Sequence, residues 1–365
     1  MGLFRFLLAL AVVLNHTGGM SGYIIMSGIT AVQVFFMISG FLIAFILSTK
    51  YDTASRAGAW LFFSNRALRI FIPYWTVWIL TFAAVAIVFA VYGWQLHPLA
   101  EFMTYGGEMT PFTWAYVVFT NVLIVGQEVA LWLSYHAGQL VPVINADALS
   151  PAVYHFQAVP QAWSLSLELM FYMLAPLLNR RSNFVLLLIV IGANLLRFIV
   201  WQNGFHSSGW TYRFFPFEIG LFVAGMLSYR LYAYLKERGF ITWQNSIAVT
   251  LAFWALALIY GSLDTDTTYK FIAFAVIAML LPFLFSFSTH FKTDRWIGEM
   301  SYPVYLIHIV VMMLVQAFIQ GFGLSFSTNA YSWLIVMITI GLSVAYVYLI
   351  DVPLERWRQR RVRSA

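Results

Sequence analysis

Cysteine is absent from the 365 residues, which excludes disulfide frameworks, thiolate metal sites and cysteine nucleophiles. Charge is scarce as well: Asp, Glu, Lys and Arg make up 9% of the chain and 62% of it is hydrophobic, against roughly 25% charged in an ordinary soluble domain. Water cannot be the main solvent of such a chain, so lipid must be. The sequence also lacks a Gly-x-Ser-x-Gly elbow, a phosphate-binding glycine loop and a His-x-x-x-His pair. That argues against Ser164 or Ser166 as nucleophiles and against a metal. The scattered His136 and His155 have no metal-ligand spacing, and no metal is expected. No repeat of the transporter kind stands out, nor a linker, nor an appended soluble domain.

Long apolar runs fill the chain instead, at 70–91, 184–201, 247–260, 271–287 and 334–350, near the length a helix needs to cross about 30 Å of hydrocarbon. The expected fold is all-α, a polytopic membrane helical bundle in the lipid bilayer. Its ten spans fall near 3–16, 29–48, 69–91, 161–178, 184–201, 212–230, 243–261, 270–288, 301–320 and 331–350. Arg5 followed by the short run 6–14 resembles a signal peptide, but His16, Thr17 and Gly18 stand where a cleavage site should begin. An uncleaved first span is expected.

Basic residues set the topology. Lys50, Arg56, Arg66 and Arg69 precede the third span, Arg180 and Arg181 follow the fourth, and Arg230, Lys236, Arg238, Lys292 and Arg295 occupy two later loops. If all face the cytoplasm, as the positive-inside rule prefers, an even number of crossings separates the first two groups. Segment 114–133 must then be re-entrant or surface-lying on the outer side, and both termini are cytoplasmic. The net charge of +6 follows from this bias, so no nucleic acid partner is expected. Residues 1–350 read as one membrane-embedded domain and 351–365 as a basic cytoplasmic tail. The outer stretch 92–160 is long enough to have a task, either as a packed lid or in substrate contact.

Ionisable residues inside a bilayer are functional candidates by default. Arg5 and His16 are eleven residues apart, which at 100° per residue returns to one helical face with about 16 Å of rise. That face suits an anionic cytoplasmic molecule at one end and proton transfer at the other. Alternatively, Arg5 snorkels to headgroups and His16 is a hydrogen-bonded interface residue. Glu168 could orient His16 or pair structurally with Arg197 or Arg213. His308 could line a donor path or be a core histidine, while Tyr302 and Tyr305 read as packing.

Several stretches together resemble the acyltransferase-3 family of membrane acyltransferases. They are Arg5 with His16; Phe35-Phe36 with Ser39-Gly40-Phe41-Leu42; Arg66 and Arg69 with Ile70 and Pro73-Tyr74; Trp163-Ser164-Leu165 to Glu168 with Phe171-Tyr172; and Gly298 with Ser301-Tyr302, Tyr305-Leu306 and His308. Two positions depart from the pattern: Gln33 stands where an acid is frequent, and Leu169 where a second Glu is common.

The resemblance implies a bacterial inner-membrane enzyme that transfers an acyl group, usually acetyl, from cytoplasmic acyl-CoA. The acceptor would be a hydroxyl of a surface glycan or lipid-linked saccharide. His16 would be the catalytic base or acyl-handling group, Glu168 a site carboxylate and Arg5 a donor contact. Arg66 and Arg69 suit the phosphates of CoA, which guanidinium grips in bidentate fashion. Acetyl-CoA would be a substrate, with no permanently bound cofactor. Two other classes stay open: a proton-coupled transporter or exporter of a glycan intermediate, which would use buried charges as relays, and a non-catalytic scaffold of a glycan assembly complex.

Overall fold

The computed structural model describes residues 1–19, 26–259 and 267–363, and almost all of them are helical. In chain order the helices are α1 (Gly2–Thr17), α2 (Gly28–Thr49), α3 (Arg56–Tyr92), α4 (Leu99–Tyr105), α5 (Pro111–Leu123), α6 (Trp163–Asn179) and α7 (Asn183–Gln202). There follow α8 (Ser208–Tyr212), α9 (Phe215–Glu237), α10 (Trp243–Ile259), α11 (Thr267–Thr289), α12 (Lys292–Gly321), α13 (Thr328–Tyr346) and α14 (Val352–Arg363). The two strands, β1 (Leu133–His136) and β2 (Gln139–Pro142), pair as a short antiparallel hairpin.

Among the described residues seven helices are long and apolar enough to cross a membrane: α2, α3, α7, α9, α11, α12 and α13. The other expected spans fall on α1, of 16 residues, and on α6 and α10, of 17 each. Residues 260 and 261 of the span expected at 243–261, and 364–365 of the tail, lie outside the described residues.

Serine begins many of these helices because its hydroxyl accepts an otherwise orphaned backbone N–H. Ser27, Ser55, Ser182 and Ser327 do so at α2, α3, α7 and α13. Asp294 plays this part for α1 from a distance, accepting Gly2 N–H at 2.6 Å and Leu3 N–H at 2.9 Å. Its negative charge also suits the positive end of the helix dipole.

The centre of the bundle is α2 against α9. A Cβ on Gly40 would strike the Phe222 carbonyl and one on Gly225 the Met37 carbonyl, so the two backbones meet at small residues, as membrane helices do. A buried network ties α7 to the same pair. Arg197 bridges Glu218 at 2.7 Å, and Gln33 Nε2 donates to the same carboxylate at 3.0 Å. The outward face of α7, with Leu187, Leu188, Ile191 and Leu195, is exposed, as a lipid-facing surface must be.

Contacts sort the loops into two ends. Asp294 meets the start of α1, Arg180 donates to Thr53 O, and Arg230 donates to Asn183 Oδ1 and Asn179 O. All the loops expected to be basic therefore share one end. At the other end Ser208 N–H meets Asp147, Ser332 meets Gly19 O, and the stretch after α3 forms a cap. Met109, Val117, Tyr135 and Phe156 give the cap its own hydrophobic cluster.

One expectation needs correction. Helix α3 begins at Arg56 and not near 69, so Arg66 and Arg69 sit inside a helix of 37 residues and not in a loop. Segment 114–133 stays within the cap, as a re-entrant or surface-lying stretch would: α5 stops at Leu123, and a short 3-10 turn covers Glu128–Trp132. The tail at 351–365 is helical, entered through a π turn at Val347–Asp351, and Arg361 donates to Asn65 Oδ1 and Ser64 Oγ on α3.

Candidate active site

Two cavities lie between the helices. The larger, of about 460 Å³, opens at the basic end. Arg5 of α1, Arg66 and Arg69 of α3, and Arg358 of α14 all line it, together with Lys50 and Arg295. Six cations thus face two carboxylates, Glu168 and Glu355. Lys50 and Arg295 reach the exposed rim and Arg358 pairs with Glu355, which leaves a surplus of guanidinium groups that favours an anionic ligand. The remaining wall is the apolar face of α2, including Phe35, Leu42 and Ile46.

Glu168 is held by a helical stripe. Ser164, Glu168 and Tyr172 recur every four residues on α6 and so share one face. Tyr172 OH donates to the Glu168 carboxylate, and Ser39 Oγ–H from α2 donates to Glu168 Oε1 at 2.6 Å. The pairing expected with His16, and the alternatives with Arg197 or Arg213, are therefore corrected: Glu168 belongs to the Arg5 cavity. Arg197 is taken by Glu218, and Arg213 lies elsewhere.

The smaller cavity, of about 180 Å³, lies beneath the cap and contains His16. Trp163, Tyr154, Tyr212, Gln127, Gln161 and Arg213 share its lining. Burial and nearby Asp147 raise the Tyr154 phenol above its ordinary value, so it stays a neutral donor. Its neighbour Glu128, outside the cavity, is also raised by burial.

His308 is fully buried and does not line the larger cavity, which corrects its expected place on a donor path. Its ring stands 5.3 Å, centroid to centroid, from that of His16. Nδ1 lies 2.7 Å from Tyr305 O. A carbonyl can only accept, so Nδ1 carries the proton and Nε2 presents a lone pair. Nε2 has no partner among the described residues. His308 is thus a ring neighbour of His16 with no hydrogen bond to it, and can restrict that ring only by packing.

Val32 and Tyr305 are the residues that line both cavities. Tyr305 OH donates to Gln161 O at 2.9 Å and shares a 2.7 Å hydrogen bond with Ser164 Oγ. Tyr305 is therefore the partition between the cavities, not mere packing. Tyr302 lines the larger cavity and donates to Ile70 O at 3.2 Å. Helix α1 delivers Arg5 to the larger cavity and His16 to the smaller one.

Sequence reading missed Arg358, Glu355 and Arg213 as lining residues. Arg358 was hidden in a run of five arginines that reads as a topological signal, and Arg213 was weighed only as a partner for Glu168.

The helical membrane bundle thus holds a cationic cavity toward one end and a histidine-bearing cavity toward the other, with Tyr305 and Val32 shared between them. The chain belongs to the acyltransferase-3 family: the model of that family's acyltransferase domain matches residues 1–349. It is also similar to an uncharacterized protein of Aquifex aeolicus (strain VF5), 22% identical over 214 residues, which covers 56% of this chain and 92% of the relative. No solved structure matches. The protein is accordingly a membrane acyltransferase, and its helix α14 lies beyond the matched region.

Proposed function

We propose that this acyltransferase takes an acyl group, acetyl in the first instance, from cytoplasmic acyl-CoA and gives it to a hydroxyl of a surface glycan or lipid-linked saccharide. The basic end would face the cytoplasm of a bacterial inner membrane, as its arginines favour. The observation that carries this reading is the pair of cavities meeting at Tyr305, one strongly cationic and the other bearing His16. Arg5, Arg66, Arg69 and Arg358 would grip the phosphates of CoA, and the apolar face of α2 would take the pantetheine arm and the thioester.

Transfer requires the saccharide oxygen to form a bond to the thioester carbonyl carbon while the C–S bond breaks. His16 accepts the hydroxyl proton, and the thiolate leaves to be protonated as free CoA. His308 keeps the His16 ring oriented. Glu168, clasped by Ser39 and Tyr172, supports the position of Arg5.

Purified protein should be stabilised against heat by acetyl-CoA, and Arg66→Gln with Arg69→Gln should remove that stabilisation. Absence of any shift at millimolar acetyl-CoA in the wild type would overturn the donor assignment. Proton NMR of surface polysaccharide from a deletion strain reports the acceptor: ester-linked acetyl signals should return with wild type and not with His16→Ala.

A further inference from the structure

We propose that the outer cavity selects a saccharide carrying an anionic group, a carboxylate or a phosphate, and that Arg213 reads that charge. The inference rests on the reading above that this cavity receives the acceptor. Arg213 is the sole formal charge among the residues lining the cavity, and no carboxylate joins it there. The contrast with Arg197 is instructive: that buried guanidinium in the same bundle has its own carboxylate, Glu218, at 2.7 Å.

Arg213 instead lies over the rings of Trp163 and Tyr212, at 4.9 and 4.8 Å from their centroids, and gives Nη2 to Tyr212 OH at 2.7 Å. Its Nε is shielded and has no partner among the described residues. Cation–π stacking fixes the plane of a guanidinium without consuming its in-plane donors. The edge that remains is the one that grips a carboxylate or phosphate.

The rest of the lining suits a sugar. Gln127 and Gln161 are buried, and their amide N–H groups are already committed: Gln127 to Tyr74 OH and Thr120 O, Gln161 to Leu306 O. Each Oε1 is shielded and has no partner among the described residues; an orphaned buried acceptor is costly, and a hydroxyl donor that reached it would relieve that cost. Trp163, Tyr154 and Tyr212 supply aromatic faces for the sugar ring. A neutral sugar filling the cavity strips water from Arg213 and offers it no counter-charge, which is unfavourable; an anionic one supplies that charge.

The test uses the full-length protein in nanodiscs, with binding of methyl glucuronide, glucose 1-phosphate and methyl glucoside measured by calorimetry. In the wild type at least one anionic sugar should bind about tenfold or more tighter than the glucoside, and the two anionic probes separate carboxylate from phosphate. R213Q should remove that preference, and R213K should keep part of it. Equal affinity of all three sugars for the wild type, no binding of any of them, or a preference that survives R213Q would each overturn the proposal. The acetyl-CoA melting shift, measured on the same preparations, tests the donor reading separately. A preserved shift with no charge preference sinks only this inference, and a charge preference without the shift sinks only the transfer reading.

Discussion

On the proposed reaction, His16 needs its ring held still to take a proton, and the ring packed beside it is the buried one of His308. His16→Ala should lower the transfer rate by ~10²–10⁴-fold and leave the acetyl-CoA melting shift intact, because His16 lies outside the donor cavity. His308→Gln should lower kcat by less than His16→Ala does, with the KM for acetyl-CoA unchanged. Steady-state kinetics on both variants check the pair, and a raised donor KM in either would count against the separation of the two cavities. Glu168 acts on the other side of the partition, so Glu168→Gln should raise the donor KM through Arg5.

At the scale of helices, the close approach of α2 to α9 leaves no room for a side chain at Gly225. Gly225→Ala forces a methyl onto the Met37 carbonyl and should destabilise the bundle by about 1–3 kcal/mol, seen as a lower melting temperature in detergent. Glu218→Ala should do more harm, about 3–5 kcal/mol, since it strands Arg197 in the interior without its partner. Deleting residues 352–365 removes α14 and with it Arg358, and should weaken the acetyl-CoA melting shift while the remaining helices still insert. The positions of the spans were legible in the sequence because hydrophobicity reports which solvent a segment meets. The partners of Glu168 were not. Depth along a helix can be counted from the sequence, but the rotation that turns Ser164, Glu168 and Tyr172 toward Ser39 is decided by how α6 packs on α2. The role of α14 was hidden for a related reason: a run of arginines satisfies the positive-inside bias whether the helix hangs free or folds back onto α3.

For the molecule as a whole, the division of charge is the organising fact. The basic end holds six cations around one cavity, the capped end holds a single guanidinium in the other, and one tyrosine and one valine are shared between them. The cap explains why the His16 side is not simply open: its own hydrophobic cluster and the hydrogen bonds from Tyr74 and Trp75 of α3 to Asn121 O and Val122 O hold the stretch 92–160 as a roof over the cavity. The family and the helical bundle could both be read from the ordered motifs, each spread over a different helix. The two-chamber plan could not, because no single stretch of sequence contains it. That plan also bears on energy conservation. A charged membrane cannot tolerate a water-filled bore, yet this protein has two polar-lined cavities that share the Tyr305 side chain. Tyr305 is then as much an insulator as a contact, and Tyr305→Ala should make proteoliposomes leak protons, measured with an entrapped pH dye, even when no acyl donor is present.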